Sequence, residues 1–207
     1  MKYRLAIFDF DGTLADSFPI FTGMLNQLAE LHGFKKIEPY DIPLFRHYSA
    51  RQIMRHVGLP HWKLPLVARS GMALMRRQAD AIALFDGVEE SLRYLAQQGV
   101  TLSLITSNSA DNVRRILGAE RLTLFRHIEC GMSIFGKRSR IKKVLARAAV
   151  AGNDAIYIGD QITDGEAAHR AGVAFGAVAW GYGSIESLRQ CAPEEIFESV
   201  AAIRRIA

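Results

Sequence analysis

The sequence predicts an α/β fold, a mostly parallel sheet covered on both faces, interrupted near its start by an all-helical insertion. Three observations carry that expectation. Apolar runs rich in Val, Ile, Leu or Phe recur at residues 4–9, 101–106, 155–159 and 173–180, separated by amphipathic stretches, which is the pattern of strands joined by crossover helices. Residues 15–84 contain no strand-like run and are punctuated by Pro39, Pro43, Gly58-Leu59-Pro60 and Pro65, the marks of several short helices. At 207 residues with 49% hydrophobic composition, the chain can build one good-sized core plus a smaller lobe.

The first apolar run leads straight into Asp9-Phe10-Asp11-Gly12-Thr13-Leu14. An extended chain sends residues i and i+2 to the same side, so Asp9 and Asp11 are expected to face one small volume. Two close carboxylates repel unless something neutralises them. Mg²⁺ does so well, because it takes oxygen ligands and shares carboxylates with substrate phosphate oxygens. Gly12 permits a tight turn, and the N–H groups around Gly12 and Thr13 are expected to point at a phosphate dianion. An ordinary Asp-Gly turn after a buried strand has the same letters, so the weight falls on the rest of the chain.

The insertion begins with Phe21, Met24, Leu25, Leu28 and Leu31 at helical spacing. Residues 1–14 and 85–207 are then expected to form the α/β core and residues 15–84 a helical lobe. Within the lobe, Leu44-Phe45-Arg46-His47-Tyr48-Ser49-Ala50-Arg51 offers two guanidinium groups. Arg46 or Arg51 would suit a substrate carboxylate, although exposed helix surface accounts for them as well. The second run ends at Thr106-Ser107-Asn108, and the stretch from there to Lys137 has room for a helix and a strand only. The third ends in Tyr157-Ile158-Gly159-Asp160-Gln161-Ile162-Thr163-Asp164. Asp9, Thr106 and Asp160 thus stand at the C-terminal ends of strands, where open α/β sheets bind ligands. Each has a plainer reading, Thr106 or Asp160 as the N-cap of the helix that follows.

Taken in order, Asp9 to Ser17 (D-F-D-G-T-L-A-D-S), Leu102 to Asn108, Phe135-Gly136-Lys137 and Tyr157 to Asp164 resemble the four motifs of the haloacid dehalogenase-like (HAD) hydrolase superfamily. Within it the chain is similar to the phosphoglycolate phosphatase-like members, with a helical cap inserted after the first motif. The resemblance implies a Rossmann-like parallel-sheet core with a small all-helical cap domain, and a Mg²⁺-dependent phosphatase that hydrolyses a small phosphomonoester through an aspartyl-phosphate. It makes Asp9 the nucleophile and a metal ligand through its side chain. Asp11 becomes the general acid and base, with its backbone carbonyl on the metal. Asp160 completes the metal site and Asp164 supports it. Thr106 with the amides of Ser107 and Asn108 holds the phosphoryl group, and Lys137 is the third-motif lysine. Many relatives carry Lys-Pro at that motif; here it reads Gly136-Lys137-Arg138-Ser139-Arg140 with Lys142 and Lys143 behind, which leaves the choice among the three lysines open. Competing readings are a phosphomutase of the β-phosphoglucomutase kind, which shares both aspartates, and a noncatalytic HAD-fold binding module. Dehalogenation does not need Asp11, and no pattern promotes Lys35, Lys36 or Lys63 to the Schiff-base role of a phosphonatase.

Composition narrows the rest. Cys130 and Cys191 form no metal-ligand spacing and no disulfide framework. The six histidines show no ligand spacing either. No apolar run approaches the length of a membrane span, and no targeting segment precedes the first strand, so a cytoplasmic enzyme is expected. The 26 Lys+Arg against 21 Asp+Glu give a net charge of +5, which favours anionic ligands. They are scattered without aromatic interleaving or a reader motif, so nucleic acid is not the expected partner.

Overall fold

The computed structural model describes residues 1–48, 50–131 and 136–207; Ser49 and the third-motif Phe135 lie outside them. Six strands, β1 (Leu5–Phe8), β2 (Thr101–Ile105), β3 (Phe125–Glu129), β4 (Ala155–Gly159), β5 (Ala174–Val178) and β6 (Glu195–Phe197), form one sheet in the order β3-β2-β1-β4-β5-β6. Every neighbouring pair is parallel. Around it run α1 (Phe18–His32), α2 (Ile42–Phe45), α3 (Ala50–His56), α4 (Leu64–Gln78), α5 (Val88–Gln97), α6 (Ala110–Leu122), α7 (Gly136–Ala148), α8 (Ile162–Ala171) and α9 (Ile185–Arg189).

The continuous apolar character of the central strands follows from burial on both faces. In β1, Ala6 and Phe8 enter a cluster with Leu102, Leu104, Ile156 and Ile158, while Leu5 and Ile7 enter the opposite one with Ile105, Tyr157 and Phe175. The last expected run, 173–180, is a strand only to Val178; beyond it the chain turns, and Trp180 stands in that turn. Strand β6 escapes sequence reading, because three residues are too few to display a period.

Among the described residues of 18–81 the regular elements are all helices, with Pro19, Pro43 and Pro65 inside the first turns of α1, α2 and α4, where a missing N–H costs no helical bond. Gly33 closes α1 in a left-handed conformation, φ 67°. This segment has its own apolar centre of Met24, Leu28, Ile37, Phe45, Val57, Leu59 and Val67. Among the described residues, no helix is long and apolar enough to cross a membrane.

Candidate active site

Strands β1, β2 and β4 lie side by side, and each ends one residue before a polar side chain: Asp9 after Phe8, Thr106 after Ile105, Asp160 after Gly159. Parallel pairing sets these three ends on the same edge of the sheet. There Asp9, Asp160 and Asp164, all buried, bring one carboxylate oxygen each to within 4.8 Å of one another. Burial raises the pKa of Asp9 to about 7 even though the Lys137 charge opposes it. Asp160 is pushed well above the usual carboxylate range by burial, with Asp164 and Asp9 adding to the effect. Buried oxygens that resist ionisation together suit a hard divalent cation, which would neutralise them.

The only cation among the described residues that touches this trio is Lys137. Its Nζ donates to Asp9 Oδ2 at 2.9 Å and to Asp164 Oδ1, and lies 5.8 Å from the Tyr157 ring centre. Burial works against its charge, but Asp164 and Asp9 outweigh it and hold the ammonium well above the ordinary lysine range. Lys143 instead pairs with Glu129 Oε2 at 2.8 Å, and Lys142 is exposed. The structure therefore brings Lys137, and neither neighbour, to the carboxylates.

Asp11 does not join the trio. Its carboxylate accepts from Asn108 Nδ2 at 3.2 and 3.3 Å. The two-residue alternation ends with β1 at Phe8, and the chain then bends into a turn at Gly12, φ 81°, so Asp11 no longer inherits the direction of Asp9. Burial raises the Asp11 pKa, and hydrogen bonds from Ser17 and Asn108 pull it back.

The amides expected to meet a phosphate at Gly12 and Thr13 are engaged inside that turn. Gly12 N–H donates to the Ala15 carbonyl at 2.9 Å and Thr13 N–H to the Phe10 carbonyl at 3.2 Å. Gly12 is required for space as well as conformation: a Cβ there would stand 2.3 Å from Asp160 Oδ2. The Thr13 hydroxyl donates to Asp160 Oδ1 at 3.2 Å. The Asn108 amide, also expected at the phosphate, donates to Thr106 Oγ1 at 2.9 Å. Capping of α6 falls to Ser109, which accepts from Asn112 N–H, and capping of α8 to Gln161. Thr106 and Asp160 are thus free of the helix-cap role that would otherwise explain them. Asp164 has both oxygens occupied, Oδ1 by Lys137 and Oδ2 by Gln161 N–H at 3.0 Å.

Residues 6–178 match the family model of haloacid dehalogenase-like hydrolases. The chain belongs to that family. This HAD-like hydrolase is 34% identical over 197 residues to the phosphoglycolate phosphatase of Synechococcus elongatus, covering 93% of this chain and 92% of the relative. A haloacid dehalogenase-like family hydrolase from Streptococcus pneumoniae has the same fold, with a TM-score of 0.76 at 20% identity over 96% of this chain and 95% of that one. So does CbbY from Rhodobacter sphaeroides in complex with phosphate, with a TM-score of 0.74 at 19% identity over 96% and 95% of the two chains.

Just beyond the matched span, the HAD-like hydrolase adds Trp180-Gly181-Tyr182-Gly183-Ser184 to the site, which sequence reading missed. Tyr182 N–H donates to Asp160 Oδ2 at 2.8 Å, Gly183 N–H to the Asp160 carbonyl at 3.1 Å, and Trp180 Nε1 to the Thr13 carbonyl at 3.1 Å. A Cβ on Gly181 would lie 2.2 Å from Asp160 Cβ. The available signal was a pair of glycines flanking an aromatic at a strand end, a mark of close backbone approach. Arg140 was also missed: it donates to the Thr106 carbonyl at 2.8 Å and to the Gly131 carbonyl, and in the sequence it is one more basic residue on a basic helix. Arg46 lies 5.4 Å from the Phe18 ring centre, and Arg51 lines a cavity of about 260 Å³ with Arg55 and His61.

Proposed function

We propose that this phosphoric monoester hydrolase is a Mg²⁺-dependent phosphatase for a small phosphomonoester of the phosphoglycolate type, working through an aspartyl-phosphate on Asp9. The observation that carries the reading is the buried carboxylate trio at the sheet edge with Lys137 seated between Asp9 and Asp164. The side chains of Asp9 and Asp160 and the backbone carbonyl of Asp11 would hold Mg²⁺, which when bound neutralises the acids and draws charge from the phosphoryl oxygens. Asp9 attacks phosphorus in line and the alkoxide leaves. Asp11, which burial keeps protonatable, gives its proton to that oxygen and later takes one from the water that opens the acyl phosphate. Thr106, Ser107 and Lys137 hold the phosphoryl oxygens. Asp164, saturated by Lys137 and Gln161, fixes the lysine. Residues 15–84 act as a cap over the core formed by 1–14 and 85–207. The same reading places the enzyme in the cytoplasm, where the free Cys130 and Cys191 stay reduced.

Phosphate release from 2-phosphoglycolate, sugar phosphates and nucleotides, measured with Mg²⁺ and again with EDTA, tests the proposal. Mg²⁺-dependent release concentrated on 2-phosphoglycolate is expected; no release from any compound would end the phosphatase reading in favour of a mutase or a binding module. Asp11→Ala is expected to slow hydrolysis of alkyl phosphates by about 10²- to 10⁴-fold, and of aryl phosphates with good leaving groups by much less. Equal loss on both would remove the proton-transfer role from Asp11.

A further inference from the structure

We propose that Arg140 is a positioning residue that, by holding the Thr106 carbonyl, aims the Ser107 N–H at the transferring phosphoryl group. The inference rests on the phosphatase reading above and deepens it, naming the backbone donor of that site and the side chain that sets its direction.

Arg140 follows Lys137 by three residues on α7, so the two share one face of the helix. Lys137 reaches Asp9 and Asp164. Every hydrogen bond that Arg140 makes among the described residues goes instead to a backbone carbonyl: Thr106 at 2.8 Å, Cys130 at 3.4 Å, and Gly131. A guanidinium is a planar fork and bridges neighbouring carbonyls in a way that a flexible ammonium does not.

The direction of the Ser107 amide follows from that bridge. Strand β2 lies between β1 and β3. Thr106 N–H donates to the Glu129 carbonyl of β3 at 2.9 Å, and the Thr106 carbonyl meets the same guanidinium that holds Cys130 and Gly131, the two residues after β3. Both backbone groups of Thr106 therefore face the β3 side. In a planar trans peptide the C=O and the next N–H point in opposite directions, so the Ser107 N–H faces the β1 side, where Asp9 stands. Among the described residues it has no acceptor. The other amides expected at a phosphate are occupied, Gly12 by Ala15, Thr13 by Phe10 and Asn108 by Thr106 Oγ1. That last bond uses a lone pair of the Thr106 hydroxyl and leaves its proton to donate. Gly131 N–H also donates to the Asn108 carbonyl at 2.7 Å, which keeps the loop in place without Arg140. Loss of the guanidinium then frees the Thr106–Ser107 peptide plane rather than the chain.

The test adds inorganic phosphate to the ¹⁵N-labelled, Mg²⁺-loaded protein as wild type, Arg140→Lys and Arg140→Met, with kinetics on 2-phosphoglycolate and p-nitrophenyl phosphate and thermal unfolding alongside. In wild type, phosphate should move the Ser107 amide proton downfield and move those of Gly12 and Thr13 less. In Arg140→Met the Ser107 response should shrink, phosphate should inhibit about 10-fold more weakly, and kcat/KM should fall about 10-fold, less than outright removal of an oxyanion donor costs. The loss should be equal on the two esters, because the donor acts on the phosphoryl group and not on the leaving group, and the Mg²⁺ dependence should not change. Arg140→Lys keeps the charge without the fork and should resemble Arg140→Met. A wild-type Ser107 amide indifferent to bound phosphate, variants that lose only thermal stability, or a lysine variant indistinguishable from wild type would each overturn the inference while leaving the phosphatase reading intact. Should Arg140→Met fail to fold, Arg140→Lys decides alone. A wild-type protein that neither binds phosphate nor releases it from either ester overturns both.

Discussion

Asp9→Asn is expected to lower phosphate release by at least about 1,000-fold while leaving the metal-free protein no less stable than wild type. The amide is nearly isosteric but cannot form the aspartyl-phosphate, so the loss should fall on kcat for every substrate regardless of leaving group. Stability should move the other way, because in the absence of metal the cluster has three carboxylates against the single ammonium of Lys137. Burial, with Asp164 and Asp11, holds the Asp9 pKa near 7, above the ordinary carboxylate range. A carboxyl with a raised folded pKa binds more protons folded than unfolded between about pH 4 and pH 7, so its contribution to stability falls as pH rises through that window. Urea unfolding in EDTA at pH 5 and pH 8 should therefore show wild type weaker at pH 8, a smaller difference in Asp9→Asn, and recovery of wild type on adding Mg²⁺. A variant that keeps more than a tenth of the activity would take the nucleophile role from Asp9. One markedly less stable than wild type at pH 8 would contradict the charge balance.

Lys137→Met should strongly destabilise the metal-free fold. Removing the ammonium leaves Asp9 and Asp164 facing each other without their shared cation, and breaking a buried ion pair from one side costs about 3–5 kcal/mol. The lysine side chain is 22% exposed, so water relieves part of this and the lower end is expected. At pH 5 Asp9, its pKa raised to about 7 by burial, takes up a proton and the cost should shrink; at pH 8 it should be fully felt. Activity should fall about 10²- to 10³-fold as a cation at the phosphoryl oxygens is lost. Chemical denaturation of the variant at the two pH values, with and without Mg²⁺, measures the first part. An equal stability loss at both pH values would show that Lys137 contributes by packing rather than by charge.

How far the site was legible depended on where each residue sits in the local geometry. Asp9, Thr106 and Asp160 follow apolar runs directly, and in parallel strands a run's end locates the residue at the sheet edge without further information. Lys137, Lys142 and Lys143 could not be separated that way, because all three sit on one basic helix and only packing against Asp9 and Asp164 distinguishes them. Strand alternation does not place Asp11 or the amides of Gly12 and Thr13, because the chain leaves the extended conformation before reaching them and the turn engages the Gly12 and Thr13 N–H groups. Asp160 and Tyr182 lie 22 residues apart, and Ser17 and Tyr182 lie 165 apart, with no pattern along the chain to relate them.

The sequence by itself therefore determined the parallel α/β core, the helical insertion with its proline-marked starts, and the acids at the strand ends, since each depends on periodicity and turn chemistry within a few neighbouring residues. Only the tertiary structure decided that Asp164 closes the carboxylate trio, that Lys137 is the lysine that reaches it, and that Tyr182 joins Asp160 to Ser17 and α1. Those outcomes depend on which buried side chains meet across the sheet edge, where an unneutralised charge or an unpaired polar group is costly enough to select one partner.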